Sequence, residues 1–269
     1  MTLPLPTLAI AAILALTISA LGFRRVDYFV SLGYAFSIAA QAVVMPLFYL
    51  DRLDPWIILA DAMLLAHGLR LGLFLIGRER APSFAREQQA SLERGKHIKG
   101  WLKLAIWVTV AALYVAMLAP VHLLMANAAA EPSRIAVVIG LAVMALGLGI
   151  EALADAQKSA FKARHPERFI DTGLYRLVRS PNYFGEMLFW LGAFITGLGH
   201  YRAPLDWLVG LIGLGCIQLI MLGSARRLEL KQAERYAGNP AYLAYAARVP
   251  VLIPFLPVYS LKNLRIYLG

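Results

Sequence analysis

The longest apolar stretch of the sequence, residues 101–126, reads WLKLAIWVTVAALYVAMLAPVHLLMA. A helix needs about 20 predominantly apolar residues to cross the hydrocarbon core of a bilayer, and this stretch exceeds that length. Six similar stretches flank it in the sequence, at about 3–23, 28–50, 55–77, 135–154, 183–199 and 205–223. We therefore expect an all-α polytopic membrane protein with about seven transmembrane helices.

The composition supports this class and leaves little chain for anything else. Of the 269 residues, 60% are hydrophobic and only 16% are charged. This is too apolar for a soluble domain and excludes an intrinsically disordered chain. Residues 1–269 are therefore interpreted as a single integral-membrane domain, with any functional site among the helices and their loops.

The positive charges are distributed unevenly among the loops. The net charge is +10, and most Lys and Arg residues lie in the segments 78–99 and 158–179 and after residue 223. An excess of Lys and Arg marks cytoplasmic loops, so the N-terminus is expected outside and the C-terminus in the cytoplasm. This placement argues against nucleic acid as a partner. A simpler interpretation is that many of these charges only set the topology and contact anionic lipid headgroups.

Four polar residues interrupt the second and third predicted helices. Ionisable groups at the centre of a membrane helix cost at least about 2.5–3.5 kcal/mol each on insertion scales, so they indicate a cavity or a partner. The third helix contains Asp61, His67 and Arg70, of which the last two share a face. The second contains Gln41. Two simpler interpretations stay open: Asp61 forms a buried pair, and Gln41 joins two helices through a hydrogen bond.

Acidic and basic residues also follow one stripe at the end of the fifth predicted helix. Glu151, Asp155, Lys158 and Lys162 are spaced by four, three and four residues, which places them on one helical face. Two acids four residues apart repel each other unless cations or hydrogen-bond donors compensate their charges. The sugar or amide group of a bound ligand would supply such donors, and the two lysines would bind phosphate groups. The alternative is a solvated helix end with snorkelling side chains.

The segment that follows joins a basic loop to the start of a helix. Asp171-Thr172-Gly173 is a turn signal, and Pro181 stands where proline opens a helix. Asn182 and Glu186 then lie four residues apart on one face. Because free amides and the helix dipole favour phosphate at a helix start, this combination predicts a nucleotide site.

The stretch Phe169 to Trp190, with Thr172-Gly173-Leu174-Tyr175 and Pro181-Asn182-Tyr183-Phe184-Gly185-Glu186, resembles the membrane steroid 5α-reductases and related bacterial proteins. The resemblance covers the C-terminal part of the chain well and the N-terminal half loosely, through Gln41 and the run from His67 to Leu71. It implies an enzyme of the bacterial inner membrane or its equivalent that binds NADPH from the cytoplasmic side. The implied reaction reduces the carbon–carbon double bond of an enone, typically a 3-oxo-Δ4 steroid, to the 5α product.

The resemblance, together with the polar stripe, also assigns roles to residues. The expected catalytic residues are Gln41, His67 and Glu186, on a substrate side mainly within 28–77. The expected cofactor contacts, on a side mainly within 151–269, are Arg70, Glu151, Asp155, Lys158, Lys162, Arg168, Tyr175, Arg179, Asn182 and Glu186. We expect no metal and no nucleic acid, a small apolar lipid or steroid substrate, surrounding membrane lipids and a monomeric chain.

Two positions depart from the family pattern, and a second family remains open. Ala42 stands where a glutamate should follow Gln41, and His67 stands where a tyrosine would polarise the substrate carbonyl. The run from Arg179 to Tyr183 also resembles membrane isoprenylcysteine and phospholipid methyltransferases, which use S-adenosylmethionine. Ser180 replaces their usual histidine, and their donor has no phosphate that would need so many basic residues.

Overall fold

The computed structural model describes residues 4–80, 85–128 and 134–265 and confirms an all-helical protein. About 80% of the described residues are helical, and none of them lies in a strand. The α-helices in these ranges are α1 (Leu5–Ser19), α2 (Leu32–Val44), α3 (Pro55–Glu79), α4 (Ala85–His97), α5 (Gly100–Ala126), α6 (Arg134–Arg164), α7 (Pro181–Gly197), α8 (Pro204–Arg235) and α9 (Pro240–Arg248).

Six described segments are long and apolar enough to cross a membrane: Leu5–Phe23, Val26–Phe48, Pro55–Glu79, Gly100–Ala126, Arg134–Arg164 and Pro204–Arg235. The other predicted span, 183–199, corresponds to α7, which has 17 residues. At about 1.5 Å per residue α7 extends over roughly 25 Å, whereas the hydrocarbon core is about 30 Å thick. The count of seven spans and the orientation of the chain stay predictions.

The C-terminal segment contains one long helix and one short helix. The predicted span 205–223 and the polar residues after it form one unbroken helix, α8, which contains no proline after its first residue. Gly238, with a φ of 74°, follows α8, and the side chain of Asn239 caps α9. The proline-rich tail between Val249 and residue 265 forms no helix.

The chain divides into two compact units. The N-terminal unit comprises residues 1–141 and 193–213, and the C-terminal unit comprises residues 142–192 and 214–269. The expected substrate side, 28–77, lies in the N-terminal unit, and most of the expected cofactor side, 151–269, lies in the C-terminal unit. The interpretation of residues 1–269 as one catalytic domain stays a prediction.

In the N-terminal unit, α2 and α3 pack backbone to backbone. A methyl group added at Gly68 would lie 2.7 Å from Ala35 O and 2.8 Å from Ala39 N, which is closer than a side chain tolerates. Small residues at a helix crossing permit this approach. The crossing holds His67 and Gln41 in the interior of the unit, where both are fully buried.

An ion cluster fixes the basic end of the N-terminal unit. Arg25 contacts Asp27 at 2.8 Å and also Glu79, whose carboxylate accepts a hydrogen bond from Tyr28. Ser91 of α4 donates to Asp27 at 2.5 Å. Burial alone would lower the pKa of Arg25, but the hydrogen bond to Asp27 and the nearby carboxylates raise it. The cluster therefore ties α3 and α4 to the segment before α2.

Candidate functional site

The C-terminal unit contains a close crossing of α6 and α7. A methyl group added at Gly147 would lie 2.4 Å from Phe189 N, and one added at Gly185 would lie 2.7 Å from both Glu151 N and Gly147 O. Only residues without a Cβ permit this approach. The crossing places Glu151 of α6 beside Gly185 of α7, the residue that precedes Glu186.

Three carboxylates are buried on these two helices. Glu151, Asp155 and Glu186 are 2%, 6% and 7% exposed, and each makes at least one interaction within the protein. A buried carboxylate is costly unless donors or cations satisfy it. The two packed helices therefore carry three buried carboxylates that can accept hydrogen bonds, two on the stripe predicted on α6 and one on α7.

Tyr175 lies in a turn that is packed against α6. The predicted turn is confirmed by Gly173, which has a φ of 59°, and the amide of Leu174 donates to Gln157 Oε1 at 2.9 Å. The Tyr175 hydroxyl donates to Ala154 O at 3.3 Å. Burial raises the pKa of Tyr175, and the neighbouring charge of Asp155 raises it further. Tyr175 therefore lies close enough to Asp155 for their electrostatic interaction to matter.

Lys162 organises the loop that follows α6. Its ammonium group donates to the carbonyl oxygens of Pro166, at 3.2 Å, and Arg168, and lies 3.1 Å from the Tyr236 hydroxyl. An ammonium group has three donors, so these contacts account for all of them. In this geometry Lys162 stabilises the loop. Its predicted contact with a cofactor phosphate stays a prediction.

Arg179 holds the C-terminal tail. Its guanidinium donates to Val249 O at 3.1 Å and to Tyr259 O, and it lies 3.4 Å from the Glu229 carboxylate. The other Glu229 oxygen accepts from the Leu261 amide at 2.7 Å. Arg179 is buried, and its Nε and Nη2 groups contact protein acceptors, so a direct cofactor contact stays a prediction here as well.

The remaining predicted cofactor contacts of this unit are more accessible. Pro181 opens α7 as predicted, and Asn182 after it is half-buried, as is Lys158. Arg168 is exposed, with its guanidinium 5.9 Å from the centre of the Phe161 ring. Of these residues, Arg168 has the side chain most open to a phosphate.

In the N-terminal unit, His67 is paired with a tyrosine. The Tyr34 hydroxyl lies 3.3 Å from His67 Nε2, and the two rings meet edge to face at 6.1 Å. Arg70, three residues further along α3, is half-buried and also interacts within the protein. A hydroxyl next to the imidazole provides a second polar group where the sequence indicated a single histidine.

Gln41 faces a different group of polar residues. It lines a cavity of about 10 Å³ together with Asp61 and His122, a residue of α5. His122 was missed by the sequence analysis, which singled out no polar residue in the fourth predicted helix. The signal was present, since His122 is an ionisable residue inside the apolar stretch 101–126.

A second cavity of the N-terminal unit is basic. It measures about 290 Å³ and is lined by Arg24, Arg25, Lys96 and Lys103, with Glu93 as the acidic residue among the charged ones. Glu93 pairs with Lys96 at 2.7 Å, on an exposed surface. A basic concavity of this kind suits the anionic headgroup of a lipid.

These features define the class of the protein. Six apolar helices, basic loops and carboxylates buried on long helices are compatible with an integral membrane protein whose polar chemistry lies on its helices. Within that class the chain belongs to the family described as "Protein of unknown function (DUF1295)", whose model matches residues 24–249. This family includes steroid 5α-reductase-like proteins, so the resemblance found in the sequence is supported at the level of the family.

One curated relative matches only part of the chain. Uncharacterized protein C594.04c of Schizosaccharomyces pombe is 33% identical over 92 residues, which cover 33% of this chain and 24% of the yeast protein. The chain thus matches about a quarter of that relative's length. No solved structure matches the chain.

Proposed function

We propose that the protein is an NADPH-dependent reductase of the carbon–carbon double bond of an apolar enone, and that a 3-oxo-Δ4 steroid is reduced to its 5α product. The observation that carries the proposal is the set of buried acids Glu151, Asp155 and Glu186 on the packed helices α6 and α7. Membership of a family that includes steroid 5α-reductase-like membrane proteins supports it.

The residues of the C-terminal unit fit the chemical groups of NADPH. Ribose hydroxyls and the nicotinamide carboxamide donate hydrogen bonds, and buried carboxylates accept them. Phosphates need cations, and Arg164 at the end of α6 and Arg168 and Arg176 in the segment after it are exposed. When bound, NADPH supplies the hydride of the reduction. In this proposal Lys162 and Arg179 stabilise the site indirectly, because Lys162 holds the loop after α6 and Arg179 holds the C-terminal tail.

The polar residues of the N-terminal unit have a separate task in this proposal. Negative charge develops on the enone oxygen during reduction, and fixed donors aimed at that oxygen lower the barrier. The hydroxyl of Tyr34, held 3.3 Å from His67 Nε2, fixes the imidazole so that the pair presents a donor. The apolar helices around it exclude water, and a single chain is proposed to suffice.

Titration of the purified protein with nucleotides tests the proposal. We expect saturable binding of NADPH, tighter than that of NADH because exposed arginines meet the additional phosphate, and no saturable binding of S-adenosylmethionine. Asp155→Asn and Glu186→Gln should each weaken NADPH binding roughly tenfold or more, because a lost hydrogen bond to a buried partner costs about 1–3 kcal/mol. Glu167→Gln is the matched control, since Glu167 is exposed and pairs only at the surface with Arg235.

Two outcomes would contradict the proposal. Binding of S-adenosylmethionine with no response to NADPH would assign the chain to the methyltransferase alternative. Equal affinity of the Asp155→Asn, Glu186→Gln and Glu167→Gln proteins for NADPH would remove the buried acids from the cofactor site.

A further inference from the structure

The small cavity of the N-terminal unit has polar walls that the protein itself does not satisfy. Gln41 and His122 are 0% and 2% exposed. Among the described residues, Gln41 Oε1 and both ring nitrogens of His122 have no hydrogen-bond partner. Leaving such an atom buried and unpaired lowers the stability of the folded protein. Three such atoms on two helices that face one cavity indicate a group that enters it.

Two of the nearby polar groups are already engaged elsewhere. The Tyr49 ring lies edge to face with His122, but its hydroxyl is 2.7 Å from Thr7 Oγ1. The Gln41 amide nitrogen donates to Ser37 O at 3.2 Å, which leaves its oxygen directed elsewhere. Within the part of the chain that the structure describes, these three atoms therefore lack a partner that a bound group could supply.

The chemistry of the walls selects that partner. A neutral imidazole provides one donor and one acceptor, and an amide oxygen accepts only. A hydroxyl group can donate to Gln41 Oε1 and accept from the N–H of His122, so it pairs with both residues, whereas a ketone would leave Gln41 Oε1 unpaired. The volume of about 10 Å³ holds about one oxygen-sized group, and the other walls are apolar apart from Asp61.

We propose that the cavity between Gln41, Asp61 and His122 binds the hydroxyl group of an apolar lipid alcohol, which makes it the site that selects hydroxyl-bearing substrates. The inference rests on the proposed function for the identity of that lipid as a substrate. Asp61 is only partly buried, so the cavity is not sealed from the helix surface, and the apolar body of the ligand extends from it along the helices.

The test compares two steroids that differ by one hydroxyl. The probes are a radiolabelled 3-oxo-Δ4 steroid with a hydroxyl on its five-membered ring and the same steroid without it. Equilibrium binding is measured in detergent without NADPH, so the result does not depend on turnover. We expect the hydroxylated steroid to bind at least about tenfold more tightly, because a satisfied buried pair replaces unpaired atoms.

Variants of His122 separate ligand recognition from a structural role. His122→Leu should reduce the affinity ratio to about 1 and raise the melting temperature of the ligand-free protein, since it removes two unpaired buried nitrogens. His122→Asn retains a donor and an acceptor and should preserve part of the preference. Leu123→Met, a volume-conserving change at a buried neighbour on α5 that does not line the cavity, should leave the ratio unchanged.

Equal binding of the two steroids by the wild-type protein would overturn the proposal even if the leucine variant did not fold. A lower melting temperature of His122→Leu with equal steroid affinities would show that the cavity holds only a structural water. If the hydroxyl preference is found in a protein that does not bind NADPH, the proposed reduction fails while the hydroxyl site stands.

Discussion

The substitution Gly185→Ala tests whether the close crossing of α6 and α7 builds the site of the C-terminal unit. The new methyl carbon would lie 2.7 Å from Glu151 N and Gly147 O and 3.0 Å from Glu151 Cβ. Ordinary van der Waals contact begins at 3.4 Å. The two closest atoms belong to the backbone of a helix, so no rotation of a side chain relieves the contact and the helices must separate.

The magnitude follows from that separation. Overpacking of this kind costs about 1–3 kcal/mol, which should lower the melting temperature by several degrees. Misplacement of binding groups by about 1 Å can cost roughly 10²-fold in rate, because Glu151 and Glu186 move apart together with the helices. Gly149→Ala is the matched control. Gly149 lies on α6, the partner helix in the crossing, with nothing within 4 Å of an added methyl group, and alanine should stabilise that helix by about 0.5–1 kcal/mol.

Thermal unfolding and NADPH titration of both variants check the reasoning. We expect opposite shifts in melting temperature, and weaker NADPH binding for Gly185→Ala alone. If the two variants had the same melting temperature and the same affinity, the backbone contact would not determine the geometry of the acids.

Three further variants address single residues. Arg179→Ala should lower the melting temperature strongly, because breaking a buried pair leaves Glu229 without its cation at a cost of about 3–5 kcal/mol; an equal effect of Arg176→Ala, at an exposed site, would refute this. His67→Phe should reduce steroid turnover by about 10²–10³ with little change in the dissociation constant of NADPH, as steady-state kinetics and titration would show. Arg168→Ala should do the reverse, raising that constant with less effect on turnover at saturation, and a similar profile for both variants would refute the division of roles.

The hydropathy of the sequence predicted the helices well, because membrane crossing requires long apolar runs whatever their partners. The turn at Gly173 and the helix start at Pro181 were also confirmed. Each of these local features depends only on a few neighbouring residues, so the sequence is enough to predict it. The tasks of Lys162 and Arg179 were not predictable in this way. Lys162 meets Tyr236, and Arg179 meets Glu229, and only tertiary packing brings residues so distant in sequence together.

The buried polar residues fall into two groups that differ in what they contribute to folding. Arg179 has carboxylate and carbonyl partners within its unit, so its replacement removes interactions that the folded state needs. His122 and Gln41 carry atoms that have no hydrogen-bond partner among the described residues. Burying these atoms therefore lowers the free energy of unfolding. Residues that destabilise the fold in this way are typical of sites where function opposes stability. The direction of the change in melting temperature therefore distinguishes the groups: it falls for Arg179→Ala and rises for His122→Leu.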